Sequence, residues 1–328
     1  MRPARIALAT AAALLVLIGG SVGALRAGAL ATDPVAAKAR WAAAPSRFVT
    51  VDGVVMHVLA EGPPGAPVVV MLHGSIANLH EWDLVADRLK GRYRVVRFDW
   101  PPYGLSGPDT AAPTTPRAAQ LMNGLLTQMG IARFALVATS NGANVALEYN
   151  RLYPGHAIGM AFSMLPLERP SQTRKGGAWM QTLVWLQQWV PNWHSHAFYR
   201  AILTDTDPPG FEPADWMVDS IYDADNLPGA AARQRAYLAA NVGLFKTDII
   251  SREAAAVRVP VLLQWCAFDT VISQSADASV KRFVNAPVEL IRYPDLGHFP
   301  FWQNPDRFTR DLVVWLDKVT RAPAAKAP

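Results

Sequence analysis

From residue 47 onward the chain alternates between short apolar runs and amphipathic stretches, and this alternation limits the fold more than any other feature. The runs are VVVML (68–72), YRVVRF (93–98), FALVAT (134–139), IGMAFSML (158–165), VLLQWC (261–266) and VELIRY (288–293). Unbroken apolar runs of this length suit parallel strands covered on both faces. Helical patterns lie between most of them, at 81–90, 117–129, 141–153 and 274–284, with a last one near 305–319. Ahead of them, 48–51 and 54–60 flank Asp52-Gly53, the pair that favours a type I′ hairpin turn. The order predicts an α/β fold built on a doubly wound, mostly parallel sheet. One connection is far too long for a crossover, since about ninety residues separate the runs ending at 165 and starting at 261. Residues 168–250 therefore read as an inserted helical cap. The core then comprises 47–167 and 251–320, and 321–328 is a tail.

The 328 residues are 51% hydrophobic, enough to bury one large core. The formal charge of +5 is matched by residues 1–47 alone, where Arg2, Arg5, Arg26, Lys38, Arg40 and Arg47 face only Asp33. The rest is neutral, and no basic-aromatic interleaving follows, so nucleic acid is not an expected partner. Two arginines precede the charge-free stretch Ile6 to Leu25, and Ala29-Leu30-Ala31 has the small-x-small form of a cleavage site. Twenty residues of helix span ~30 Å, so 1–31 reads as a signal peptide or a membrane anchor. The expected location is exported: membrane-anchored, periplasmic or secreted, with a possible tether through 6–25. Residues 32–46, with Pro34 and Pro45 among Ala and Lys, read as a linker. The only cysteine, Cys266, reads as a small residue in a buried strand.

Four motifs carry chemistry. VVVMLHG ends in His73-Gly74, FDWPPYGLSG spans 98–107, ATSNG spans 138–142, and WCAFD (265–269) precedes DLGHFPFWQNP (295–305). In these features and in their order, residues 47–320 resemble the α/β-hydrolases. The resemblance implies that ATSNG is the nucleophile elbow with Ser140 as nucleophile, that the segments after the last two strands carry Asp269 and His298, and that the Ser75 amide serves an oxyanion hole. His73 and Asp99 would brace loops. Glu168, just past an earlier strand, is the alternative acid. The chain departs from the family pattern at Ala138, where the elbow has glycine, and at Pro102, where the second loop has glycine.

The chemistry of these positions can be argued from the residues themselves. A strand-to-helix turn exposes Ser140 Oγ and aims the helix N-terminus, with the Asn141 amide, at a developing oxyanion. Of seven histidines, only His298 lies between the final apolar run and the final helical pattern. It would act as general base, with Asp269 fixing its tautomer. His194 and His196 are too few for a metal site, and no nucleotide-binding glycine loop is visible, so neither metal nor cofactor is expected. Trp179, Trp185, Trp189, Trp193 and Trp216 crowd the cap. They suggest an apolar pocket, with Trp100, Trp179 and Trp185 at the substrate. The expected function is a serine hydrolase cleaving a small to medium apolar carboxylic ester through an acyl-enzyme. The alternatives are a C-C bond hydrolase of ring-fission diketones with the same triad, and a non-catalytic binding protein that keeps the fold.

Overall fold

The structure, a computed structural model, describes residues 2–168 and 177–321. The expected tail beyond Arg321 lies outside the described residues, as do 169–176 of the cap. Eight strands form one sheet: β1 Arg47–Val51, β2 Val54–Glu61, β3 Val68–Leu72, β4 Arg94–Phe98, β5 Phe134–Thr139, β6 Ala157–Ser163, β7 Val261–Cys266 and β8 Val288–Tyr293. Their order is β1-β2-β4-β3-β5-β6-β7-β8. Only the pairs made by β2 are antiparallel. Asp52 and Gly53 both take positive φ, +47° and +78°, as the β1-β2 turn requires.

The helices are α1 Arg2–Arg26, α2 Pro34–Trp41, α3 Asp83–Leu89, α4 Thr115–Gln128, α5 Ser140–Leu152, α6 Ala178–Gln187, α7 His196–Asp205, α8 Asp215–Asp225, α9 Ala230–Asn241, α10 Ile249–Ala256, α11 Ala276–Val280, α12 Pro300–Gln303 and α13 Pro305–Arg321. The central strands are apolar throughout because both faces are covered. Val70, Leu72, Leu136 and Ala138 join one core with α4 and α5, while Val69, Met71, Ala135 and Val137 join the other with α3 and α13. On α13, Phe308, Leu312, Trp315, Leu316 and Val319 face inward. Each such side chain contributes ~1.5–3 kcal/mol by leaving water. Gly159 makes room for this helix, since a Cβ there would stand 2.9 Å from the Trp315 ring.

The winding positions the site. After β3 the chain adds β4 on one side, then crosses back to add β5 on the other, so the strand order reverses between β3 and β5. Loops leaving the carboxyl ends of neighbouring strands diverge at such a point and leave a crevice. His73-Gly74-Ser75 leaves β3 there, and Ser140 leaves β5.

The stretch between β6 and β7 contains α6 to α10, with α10 returning to pack on α5. The segment expected as a linker, 32–46, contains α2. Asp33 caps this helix by accepting from the Val35 and Ala36 amides, and Arg40 pairs with Asp219 and Asp223 of α8. Within α1, Arg5–Arg26 has a mean hydropathy of 2.2 and is unburied, meeting the cap at Arg26. It is long and apolar enough to cross a membrane.

Candidate active site

Ser140 occupies the junction of β5 and α5 with φ +47°, a left-handed conformation that a non-glycine residue adopts under constraint. Gly142 permits the turn. A Cβ there would lie 2.3 Å from the His73 carbonyl oxygen, so only glycine lets the first turn of α5 rest on the end of β3. Ala138 is fully buried, in register with Leu72 and Phe162, and its methyl is part of the core. No side chain caps α5, which leaves its first amides, Asn141 among them, without intrahelical acceptors.

The loop after β3 is held from below. His73 Nδ1 donates to the Gly74 carbonyl at 2.8 Å, and its Nε2 accepts from the Trp100 amide at 3.3 Å. Burial pushes His73 down to about 4, against the pull of Asp99, so this imidazole is neutral. Trp100 stacks on it, with centroids 5.3 Å apart, and its indole N-H donates to the His73 carbonyl at 2.9 Å. Asp99 accepts from Leu79, Leu105 and His57. Burial opposes its ionisation, yet His57 and the amide hydrogen bonds hold it at about 2. Both residues brace loops, as the resemblance implied. Gly104, at φ +63°, packs so tightly on Asp99 that a Cβ would overlap the carboxyl. The turn therefore forms despite Pro102.

Two amides expected at an oxyanion lie beside an aromatic wall. Ser75 Oγ accepts from Tyr103 Oη at 3.3 Å, and Asn141 Nδ2 donates to Tyr237 Oη at 3.3 Å. Trp100 closes the wall, 4.6 Å from Tyr103 and 5.4 Å from Tyr237 between ring centroids. Ile76, at φ +58°, turns the chain away just beyond Ser75.

Asp269 and His298 come together from the loops after β7 and β8. His298 Nδ1 donates to Asp269 Oδ2 at 2.5 Å, while Asp269 Oδ1 accepts from the Val271 and Ile272 amides at 2.6 and 2.8 Å. With Nδ1 engaged, Nε2 is the nitrogen left to exchange a proton. Burial lowers the His298 pKa, but Asp269, with Asp207 and Glu81 behind it, outweighs burial and the net direction is upward. Gly297 is dictated by space, because a Cβ would stand 2.5 Å from Asp207 Oδ1.

Glu81 and Asp207 were not singled out by sequence reasoning. Glu81 accepts from the Gly74 amide at 2.8 Å, and burial pushes its carboxyl up to about 8. A Cβ built on Gly74 would lie 3.2 Å from Ser140 Cβ and 3.7 Å from Glu81 Oε1, so serine, loop and carboxyl form one cluster. Asp207 accepts from the Phe299 amide and from Gln303, and burial pushes it up to about 7. The neighbouring Thr206 carbonyl accepts from the His298 amide at 3.2 Å, so the end of α7 clamps the histidine loop. The sequence signal for both was faint: Glu81 sits among helical polar residues, and Asp207 merely precedes Pro208 and Pro209.

Other expected residues fall elsewhere. Glu168 is half exposed and pairs with Arg282 at 3.4 Å, whereas His298 pairs with Asp269. Trp179 and Trp185, expected at the substrate, are 61% and 54% exposed on the outside of α6, which corrects that expectation. Trp100 belongs to the wall and is itself fully buried. A cavity of about 150 Å³ is lined by Pro101, Pro102, Leu121, Arg233 and Ala236, but by none of Ser140, Asp269 or His298.

Comparison with known proteins agrees with this fold. A family model described as alpha/beta hydrolase fold matches residues 67–305. The chain is 33% identical over 120 residues to the dihydrolipoyllysine-residue acetyltransferase component of the acetoin cleaving system of Cupriavidus necator, a match covering 37% of this chain and 32% of that one. The chain thus spans about a third of that relative's length. Among solved structures, a membrane phospholipase A described as a bacterial virulence factor superposes with a TM-score of 0.66 at 20% identity, covering 98% of both chains. An esterase from Exiguobacterium antarcticum gives 0.66 at 19% identity, covering 82% of this chain and 98% of its own.

Proposed function

Because the chain belongs to the alpha/beta hydrolase family, we propose that it is a serine hydrolase cleaving a small to medium apolar carboxylic ester through an acyl-enzyme. The observation that carries this reading is the bond from His298 Nδ1 to the buried Asp269 carboxylate, on the same sheet edge as a serine in left-handed conformation. Ser140 Oγ attacks the ester carbonyl while His298 Nε2 takes its proton. The oxyanion is held by the Asn141 and Ser75 amides. Collapse expels the alcohol, which receives that proton, and water then repeats the sequence to release the acid and restore Ser140. Trp100, Tyr103 and Tyr237, fully buried beside both donors, make the surroundings of the reacting ester apolar.

The test joins a fluorophosphonate probe to a substrate panel. Wild type should be labelled and Ser140→Ala should not. Hydrolysis of p-nitrophenyl esters should rise with acyl length by up to ~fourfold per methylene until the site is full, then fall. Faster turnover of an aromatic ring-fission diketone than of every ester would replace this reading with C-C hydrolysis. Absence of Ser140-dependent labelling and turnover would leave a binding protein.

A further inference from the structure

The outer face of α6 is unlike an ordinary protein surface. Residues 178–190, AWMQTLVWLQQWV, carry no charge. Met180 and Leu183 are buried beneath the helix, yet Trp179, Trp185, Leu186 and Trp189 stand 46–61% exposed on the opposite side. On α9 and just past its end, Leu238 and Val242 are exposed as well. Single exposed apolar residues need no explanation, whereas a clustered aromatic patch marks a contact surface.

The occupant is indicated by what lies against the end of this face. Arg26 ends the apolar helix α1, and its Nε donates to the Trp189 carbonyl at 2.7 Å. Asn192 Nδ2 donates back to the Arg26 carbonyl at 3.2 Å. Arg235 of α9 in turn donates to the Pro191 carbonyl and to Asn192 Oδ1. An α1 helix in a bilayer therefore brings the Trp189 end of α6 to the headgroup level. Tryptophan favours that level, and the exposed Arg26 and Arg235 suit anionic lipid phosphates.

We infer that the Trp179–Trp189 face of the cap is a bilayer contact surface and, resting on the Ser140 nucleophile proposed above while enlarging its substrate beyond a small to medium ester, that the ester is a membrane lipid. The route inward is short. Arg235 meets the α1 junction while Tyr237, two residues on, meets Asn141 of the nucleophile turn. Arg235 is exposed on the outer side of α9 and Tyr237 is buried on its inner side, so a single helix separates the proposed interface from the nucleophile turn. Water cleaves the ester bond, leaving a fatty acid and a lysolipid alcohol.

The full chain, reconstituted into vesicles of phosphatidylcholine and phosphatidylglycerol, tests the surface first. Cys266 is buried, so Thr182→Cys on the exposed face of α6 takes an NBD label selectively. Lipids brominated near the headgroup should quench this label and should not quench one at Val314→Cys on α13. A Thr182 label shielded from water but untouched by brominated lipid would mean that a second copy covers the face, and an unshielded label would mean that nothing does. Either overturns the proposal. The substrate arm uses Leu186→Asp/Trp189→Asp, which should lower phospholipid hydrolysis in the vesicle by about tenfold or more while a soluble p-nitrophenyl ester is cleaved at the wild-type rate. Equal loss on both substrates, or loss on neither, overturns the supply of lipid through this face. Quenching in a chain that cleaves no ester would keep the surface and sink the hydrolase reading instead.

Discussion

Replacing Asp269 by Asn changes one atom and should disable the base without unfolding the chain. In the wild type, Oδ1 accepts from the Val271 and Ile272 amides and Oδ2 accepts from His298 Nδ1. An asparagine keeps its carbonyl oxygen on the two backbone donors, since turning it round would face its NH2 against both. The NH2 then points at His298. The imidazole can answer only by accepting at Nδ1, which moves its own proton to Nε2 and leaves no lone pair for Ser140. The wrong tautomer at this position corresponds to a loss of ~10⁴ in turnover, about 5.5 kcal/mol of barrier. The assay is kcat for a p-nitrophenyl ester, with the rate of fluorophosphonate labelling and a thermal melt on the same sample. Glu168→Gln, which breaks only a half-exposed pair with Arg282, should stay within about twofold. Asp269→Asn retaining more than a tenth of wild-type turnover, or Glu168→Gln falling as far, would refute the assignment of the acid.

Two further predictions concern the buried carboxyls. The His298 pKa is raised, so kcat/KM should fall as pH drops through a value above 6.5, and Asp207→Asn, by removing one carboxyl that raises it, should move this limb to lower pH. An unmoved limb, or one moved upward, would remove Asp207 from His298's environment. Glu81 is held near 8 in the fold against 4.5, so between those values the unfolded chain gives up a proton that the folded chain keeps, and stability falls as pH rises, by at most ~1.4 kcal/mol per pH unit. Melting temperatures of wild type should therefore decline relative to Glu81→Gln from pH 4.5 toward 8; parallel curves would show that Glu81 is ionised in the fold.

The parts legible in the sequence are those where one physical demand dominates. Strands β3, β5 and β7 coincide with their apolar runs because both of their faces are buried. Gly142 and Gly104 mark contacts in which backbone or carboxyl lies where a Cβ would be. Asp33 before Pro34 is a helix-start signal that the alanine-rich surroundings concealed, and α2 was missed for that reason. Glu81 and Asp207 were illegible for a different reason. Their importance comes from burial beside His298, which depends on how the turn before α3 and the end of α7 pack, and a lone carboxyl in a polar stretch does not announce that.

The misjudged tryptophans follow from the logic of periodicity itself. A helical repeat shows which residues share a face, and polarity on the other side then shows which face is buried. α6 offers no such contrast, since its run is uncharged all round, and Trp179 with Trp185 could equally point inward or outward. The structure turns Met180 and Leu183 inward and the tryptophans outward. A helix with apolar residues on every side and no charge is at home buried in protein or in contact with lipid. Here one side meets the protein core, and the other ends against Arg26, where the long apolar helix α1 begins its course away from the body. The ambiguity that defeated the sequence reading is thus the property that the lipid-contact inference explains: a cap helix with two apolar faces has two apolar neighbours.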